Sequence, residues 1–144
     1  MEWAKQMDCK VVDLWFGQDG YDYPLQGDER VVCTGMQYYE CVIHEGCRQV
    51  APADIAAPTL FEADLASDEL QSLAGPEDER KSTIRNREMI DSKIILQGAE
   101  DGIEDVRDGL GWTAAITLDT GVMTISASTD GAAFVIMGAC RPLK

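Results

Sequence analysis

The sequence predicts a mainly β domain, a small antiparallel barrel or two-layer sandwich with little helix, and three observations carry that prediction. Residues 111–140 alternate apolar and polar side chains through three segments separated by tight turns, the pattern of a three-stranded meander. Earlier in the chain, β-branched and aromatic runs recur between Gly, Pro and Asp clusters, giving seven or eight short strands in all. The chain is 144 residues long, one domain's length. That many short strands in one domain remove their exposed edges by closing on themselves or by stacking as two layers.

In chain order, residues 9–16 read as a strand and residues 17–28 as a loop punctuated by three glycines and Pro24. Residues 30–34 and 37–44 read as two short strands around Gly35. In the second, Tyr38, Glu40, Val42 and His44 share one face. Tyr39, Cys41 and Ile43 share the other, which is expected to be buried. Residues 48–58, with Pro52 and Pro58 among alanines, form a connector. Residues 59–63 are a strand, and residues 64–73 a short helical turn with Ser67 as N-cap. Residues 75–80 are a solvated break. Residues 83–89 and 93–97 are strands around a turn at Asp91-Ser92, and residues 98–109 are a long polar loop.

The meander follows. Trp112, Ala114, Ile116 and Leu118 share a face of the first strand, and Asp119-Thr120-Gly121 turns the chain. Met123, Ile125 and Ala127 face inward on the second. Asp130-Gly131 is a strong hairpin signal, and Phe134 and Ile136 face inward on the return toward Cys140. The chain thus divides into a cysteine-rich part, residues 1–58, and a meander part, residues 59–144, within a single domain.

Charge narrows the function. Twenty-six acids against twelve bases give a formal net charge of −14. Such a surface repels nucleic-acid phosphates and anionic lipid, so neither is an expected partner. It suits a basic protein or loosely held cations. No run approaches the length of a membrane-spanning helix. The start, Met1-Glu2-Trp3-Ala4-Lys5, lacks an apolar leader core. It fits a cytosolic chain, or a mature chain whose leader is gone.

Five cysteines, Cys9, Cys33, Cys41, Cys47 and Cys140, allow at most two disulfides and leave one thiol. Their clustering, with one near the end of the chain, suits an oxidising compartment and a bridge that ties the chain end to the sheet. Free buried thiols and a metal site are the alternatives, although Cys41-x5-Cys47 is not a zinc spacing. No cofactor motif and no convincing catalytic set occurs. His44, the only histidine, would have to serve Cys41 or Cys47, yet Cys41 lies on the opposite strand face and Glu40 and Glu45 oppose a lowered thiol pKa. Glu100, Asp101, Glu104, Asp105 and Asp108 crowd one loop, but not in the order of an EF-hand. They offer weak divalent-cation binding at most, or an interaction loop. Trp3, Trp15, Trp112, Tyr21, Tyr23, Tyr38 and Tyr39 are candidates to line an apolar pocket.

The residues Cys41 and Cys47, Phe61-Glu62-Ala63-Asp64-Leu65, Leu96-Gln97-Gly98, Gly111-Trp112, Thr120-Gly121-Val122-Met123-Thr124, Asp130-Gly131 and Gly138-Ala139-Cys140 carry a resemblance. In these, the chain resembles small uncharacterised secreted or periplasmic proteins of alphaproteobacteria of the Rhodobacter type. The likeness spans roughly the last hundred residues and is most specific in the last thirty. The first forty, with Cys9 and Cys33, depart from it. The resemblance implies a periplasmic or extracellular β-protein and no particular activity. The function expected from all of this is noncatalytic protein–protein binding, as an accessory subunit of a larger envelope assembly. Two alternatives remain: a lipocalin-like barrel with an internal cavity of several hundred cubic ångströms, and an inhibitor that offers the 98–109 loop to a basic hydrolase.

Overall fold

The computed structural model describes residues 24–72, 81–100 and 109–143. The expected strand at 9–16, the break at 75–80, Cys9, and the loop acids Asp101, Glu104, Asp105 and Asp108 lie outside the described residues.

Among the described residues, nine strands form one antiparallel sheet: β1 (Arg30–Val42), β2 (Gly46–Val50), β3 (Leu60–Asp64), β4 (Glu69–Ser72), β5 (Lys81–Ile90), β6 (Lys93–Glu100), β7 (Leu110–Thr117), β8 (Val122–Thr129) and β9 (Ala132–Pro142). β1 and β3 through β9 pair in order, and β9 returns to β1, so eight strands close a barrel. β2 is the extra strand. It pairs with the second half of β1 from Tyr38 to Val42, while β3 takes the first half from Arg30 to Thr34. The sheet therefore closes as a barrel rather than splitting into two layers.

The interior follows the period of two. Val31 and Cys33 on β1, Phe61 and Ala63 on β3, Ile84 on β5 and Ile94 and Leu96 on β6 all point inward. Trp112, Ala114 and Ile116 on β7 meet Met123 and Ile125 on β8 and Cys140 on β9. Large and small alternate across the pairs. Trp112 lies opposite Gly98 on β6 and Ala127 on β8, and a Cβ at Gly98 would press into the indole. Gly98 thus leaves the room that the ring fills.

One end of the barrel is plugged by Leu25, Leu65 and Leu118, all buried. Leu25 comes from the segment before β1, and its N–H donates to the Leu118 carbonyl at 2.8 Å. At the same end, β5 and β6 turn through Asp91 and Ser92, both at positive φ. Two such residues make a turn whose twist matches the flanking strands.

Several expectations need correction. Residues 30–34 and 37–42 are not two strands but parts of β1, with Ile43 and His44 in the turn that follows it and an irregularity between Gly35 and Gln37 in its pairing with β9. That extra residue resets the alternation. Cys33 points inward before it and Tyr38 after it, so Tyr38 is buried, while Cys41 is half-buried and Ile43 is 64% exposed. The face assigned to Tyr39, Cys41 and Ile43 is therefore the wrong one. Residues 48–50 belong to β2 rather than a connector, and Pro52–Ile55 form a single 3-10 turn. The described part of the expected 64–73 helical turn, residues 64–72, contains no helix. Asp64 accepts the Ala66 and Ser67 N–H groups at 3.1 Å each and closes a hairpin turn, after which Glu69–Ser72 is a strand. The Ser67 hydroxyl and N–H, with the Ala66 N–H, hold the Asp64 carboxyl below its ordinary value. Asp64, not Ser67, is thus the organising side chain. Residues 98–100, read as loop, continue β6.

Cys33 and Cys140 form one disulfide and Cys41 and Cys47 the other. Each joins directly opposed residues of neighbouring strands. The first is fully buried and spans 107 residues of sequence; in the chain-entropy account such a link contributes about 4–5 kcal/mol. The second spans 6 residues. Two disulfides place the folded chain in an oxidising compartment. No helix among the described residues is long and apolar enough to cross a membrane.

Beside the long disulfide, Gly35 faces Gly138, and a Cβ at Gly138 would overlap the Thr34 carbonyl. Gly138→Ala is expected to lower stability by at least about 2 kcal/mol in urea unfolding, whereas Gly111→Ala, where a Cβ meets nothing, should cost far less.

Candidate functional site

The open end of the barrel carries a cavity of about 120 Å³, half enclosed and mostly apolar. Its position follows from strand direction. β3, β5, β7 and β9 begin at this end, and β4, β6 and β8 finish there. Terminal residues of each therefore surround one opening: Phe61, Ser72, Ser82, Glu100, Trp112, Ala127 and Phe134. Ile125 and Ile136 form the deeper wall. Ile55, Ala57 and Pro58, from the segment between β2 and β3, close one side.

Two hydrogen-bonded arrangements hold this shape. In the first, the Trp112 indole N–H donates to the Ser82 hydroxyl at 2.8 Å, and that hydroxyl donates to the Ala99 carbonyl at 3.2 Å. A buried indole N–H without an acceptor would be costly, so this relay fixes the ring between β5 and β6. In the second, the Tyr38 hydroxyl donates to the Pro58 carbonyl at 2.8 Å. Gly35 permits this, because its missing Cβ is the space the Tyr38 hydroxyl occupies, and its N–H donates to the Thr59 carbonyl at 3.0 Å. The bulge in β1 therefore pins the segment that carries Ile55, Ala57 and Pro58. Burial raises the Tyr38 phenol above its ordinary value.

Beside the opening, the end of β1 pairs with β9 on one edge and with β2 on the other, and the β1–β2 hairpin is closed by the Cys41–Cys47 disulfide, with Cys47 exposed and Cys41 half-buried. His44 sits in its turn at positive φ, exposed. Because Cys41 and Cys47 bond each other, the pairing of His44 with either as a nucleophile has no thiol. Arg48 meets Glu40 across this hairpin at 3.3 Å, a surface pair worth less than about 1 kcal/mol.

Of the aromatics singled out in the sequence, Trp112 lines the cavity and Tyr38 anchors its edge. Tyr39 is half-buried and outside the lining, and Trp3, Trp15, Tyr21 and Tyr23 lie outside the described residues. Among the acidic-loop candidates, only Glu100 is described, at the rim. No cluster of three or more His, Cys, Asp or Glu suited to a metal occurs among the described residues. Phe61 and Phe134 were legible as strand residues but not as pocket residues. Leu70, Ser72, Ser82 and the 55–58 segment carried no signal, since only the closure of the sheet brings them together. The cavity is also smaller than the several hundred cubic ångströms expected of a lipocalin-like interior, because Trp112, Leu96 and Ile116 fill the barrel below it.

Two predictions test these supports. Ser82→Ala leaves the indole N–H without its acceptor, and a loss of about 1–3 kcal/mol is expected, with a shifted Trp112 indole N–H resonance. For Tyr38, the fold favours the neutral phenol. Its contribution is complete below the ordinary value of 10.0 and is lost as pH rises through the raised one. Tyr38→Phe is expected to cost about 1 kcal/mol near neutrality and to flatten the decline of the urea midpoint as pH rises above the ordinary value of 10.0.

Comparison of the chain with protein-family models, with curated proteins and with solved structures returns no match.

Proposed function

We propose that the protein is a noncatalytic, extracytoplasmic binding barrel, periplasmic or extracellular, whose open end receives an apolar group. The observation that carries this reading is the cavity of about 120 Å³ walled by Phe61, Trp112, Ile125, Phe134 and Ile136. An apolar space of this order takes one aromatic ring or a branched alkyl group. Its wall is built by strand ends that the closed sheet holds in place, so little order has to be gained on binding. The two disulfides and the resemblance to small secreted proteins support the compartment. A small organic molecule is the occupant that these features favour.

A second reading is supported by the same dimensions. A cavity that fits one ring also fits one anchoring side chain of a protein partner. Among the described residues, the exposed strand β2 beside it is bonded on one edge only, to β1, and could accept a partner's strand. The net charge of −14 favours a basic partner, as in an accessory subunit of an envelope assembly. Binding that requires a protein and never occurs with small molecules would decide for this reading.

The test is a titration of isotope-labelled protein with 2-phenylethanol, followed by amide shifts. Shifts should concentrate at Trp112, Ala127, Phe134 and Ile136. Ala127→Leu, which fills the cavity from its own wall, should weaken binding by at least about tenfold while leaving the fold intact. A folded Ala127→Leu protein that binds as well as the parent would refute the site.

A further inference from the structure

We propose that the Cys41–Cys47 disulfide is a redox-sensitive latch on the cavity wall, and that its reduction by a dithiol releases β2 and opens one side of the barrel mouth. This assigns a regulation to the binding site above and rests on that reading. The two disulfides differ in access. Cys33 and Cys140 are each 0% exposed, whereas Cys47 is exposed and Cys41 half-buried. Exchange requires a thiolate to reach a sulfur directly, so the hairpin bond is the one open to attack. The thiolate of the dithiol attacks the Cys47 sulfur, the Cys41–Cys47 bond breaks, and Cys41 leaves as a thiolate that takes up a proton. The second thiol of the reductant, deprotonated, then attacks the mixed disulfide. The reductant closes as its own disulfide, and Cys47 leaves and is protonated. The protein thus gains two electrons and two protons, and the dithiol loses them.

The wall depends on that bond because little else holds β2. Four of its five residues are exposed and Val50 is half-buried, and among the described residues it pairs on one edge only, with β1. A strand that buries so little gains only marginal stability from its pairing. The Arg48–Glu40 pair across the hairpin, at 3.3 Å, adds a surface contact. β2 runs on through Ala51 into the Pro52–Ile55 turn, in which no residue is buried. This stretch is bonded to itself. The Asp54 carboxylate accepts the Ala51 N–H, the Asp54 N–H donates to the Ala51 carbonyl, and the Ala57 N–H donates to the Pro52 carbonyl, each at 3.0 Å. Residues 51–57 therefore move with β2 as one unit, and that unit carries Ile55 and Ala57 of the cavity wall. At its far end Tyr38 holds Pro58 and Gly35 holds Thr59. Pro58–Thr59 is thus the hinge, and the disulfide secures the opposite end.

Stepwise reduction of the full chain with dithiothreitol, after any free thiols are blocked, tests this. The products are followed by mass mapping of alkylated cysteines, by amide exchange and by titration with 2-phenylethanol. Cys41 and Cys47 should be alkylated while Cys33–Cys140 is still intact. Amide exchange should rise across residues 46–57 and stay unchanged in β7 and β8. The protein reduced at Cys41–Cys47 should bind 2-phenylethanol at least about fivefold more weakly than the oxidised protein. By linkage, saturating 2-phenylethanol should shift the equilibrium of that reduction toward the disulfide by the same factor. The Cys41→Ser/Cys47→Ser double variant, where it folds, should bind as weakly without any reductant. Reduction of Cys33–Cys140 first or together with the hairpin bond would overturn the latch while the cavity stands. So would unchanged exchange across residues 46–57, or unchanged affinity, in the protein reduced at Cys41–Cys47. If 2-phenylethanol binds neither form, the site itself is refuted and its regulation falls with it.

Discussion

The seam between β1 and β9 turns a ribbon of hairpins into a barrel, and the remaining architecture depends on it. Eleven opposed residue pairs run along the seam from Val31–Pro142 to Val42–Ala132. Toward one end of it the buried Cys33–Cys140 bond joins opposed residues, and Gly138 lets β9 approach the Thr34 carbonyl. Each feature answers a different cost. The disulfide reduces the entropy of joining the first described strand to the last, the most distant pairing in the sheet. The glycine removes a steric obstacle that no rearrangement of side chains could relieve. Without the seam, β1 and β9 would be two long exposed edges.

The seam also shapes the mouth. Its bulge at Gly35–Gln37 turns Tyr38 inward, and Tyr38 holds the Pro58 carbonyl over one side of the opening. Across the barrel, Gly98 makes room for the Trp112 ring, and Ser82 sets its orientation. The cavity is thus the space left between a pinned connector and a fixed indole. Among the described residues, its shape is set by backbone geometry and two hydrogen-bonded arrangements.

The two disulfides do unlike work. Cys33–Cys140 is buried and holds the barrel closed, while Cys41–Cys47 is accessible and stiffens the hairpin of β1 and β2. Both consume thiols that the sequence left open to metal or nucleophilic roles.

The meander was legible from sequence because alternation over residues 112–136 reports directly which side chains face inward, and Trp112, Ile116, Met123 and Ile125 are buried as that pattern requires. The Asp91-Ser92 and Asp130-Gly131 turns were legible for the same local reason, since turn chemistry is confined to neighbouring residues. Local pattern misled where one inserted residue changed the outcome. The bulge in β1 inverted the faces of Tyr38 and Ile43, and no residue type announces a bulge unambiguously. It misled again at Asp64–Ser72, where acids and a serine fit a helix start as well as a tight hairpin turn. By itself the sequence determined a β-rich acidic domain, its terminal meander and the presence of cysteines able to clamp the chain end. Only the tertiary structure decided that the sheet closes, that Cys33 is the partner of Cys140, and that Phe61, Ser82, Trp112 and Phe134 share one opening. Those facts depend on which strands become neighbours across more than a hundred residues, and a period of two records facing, not neighbours.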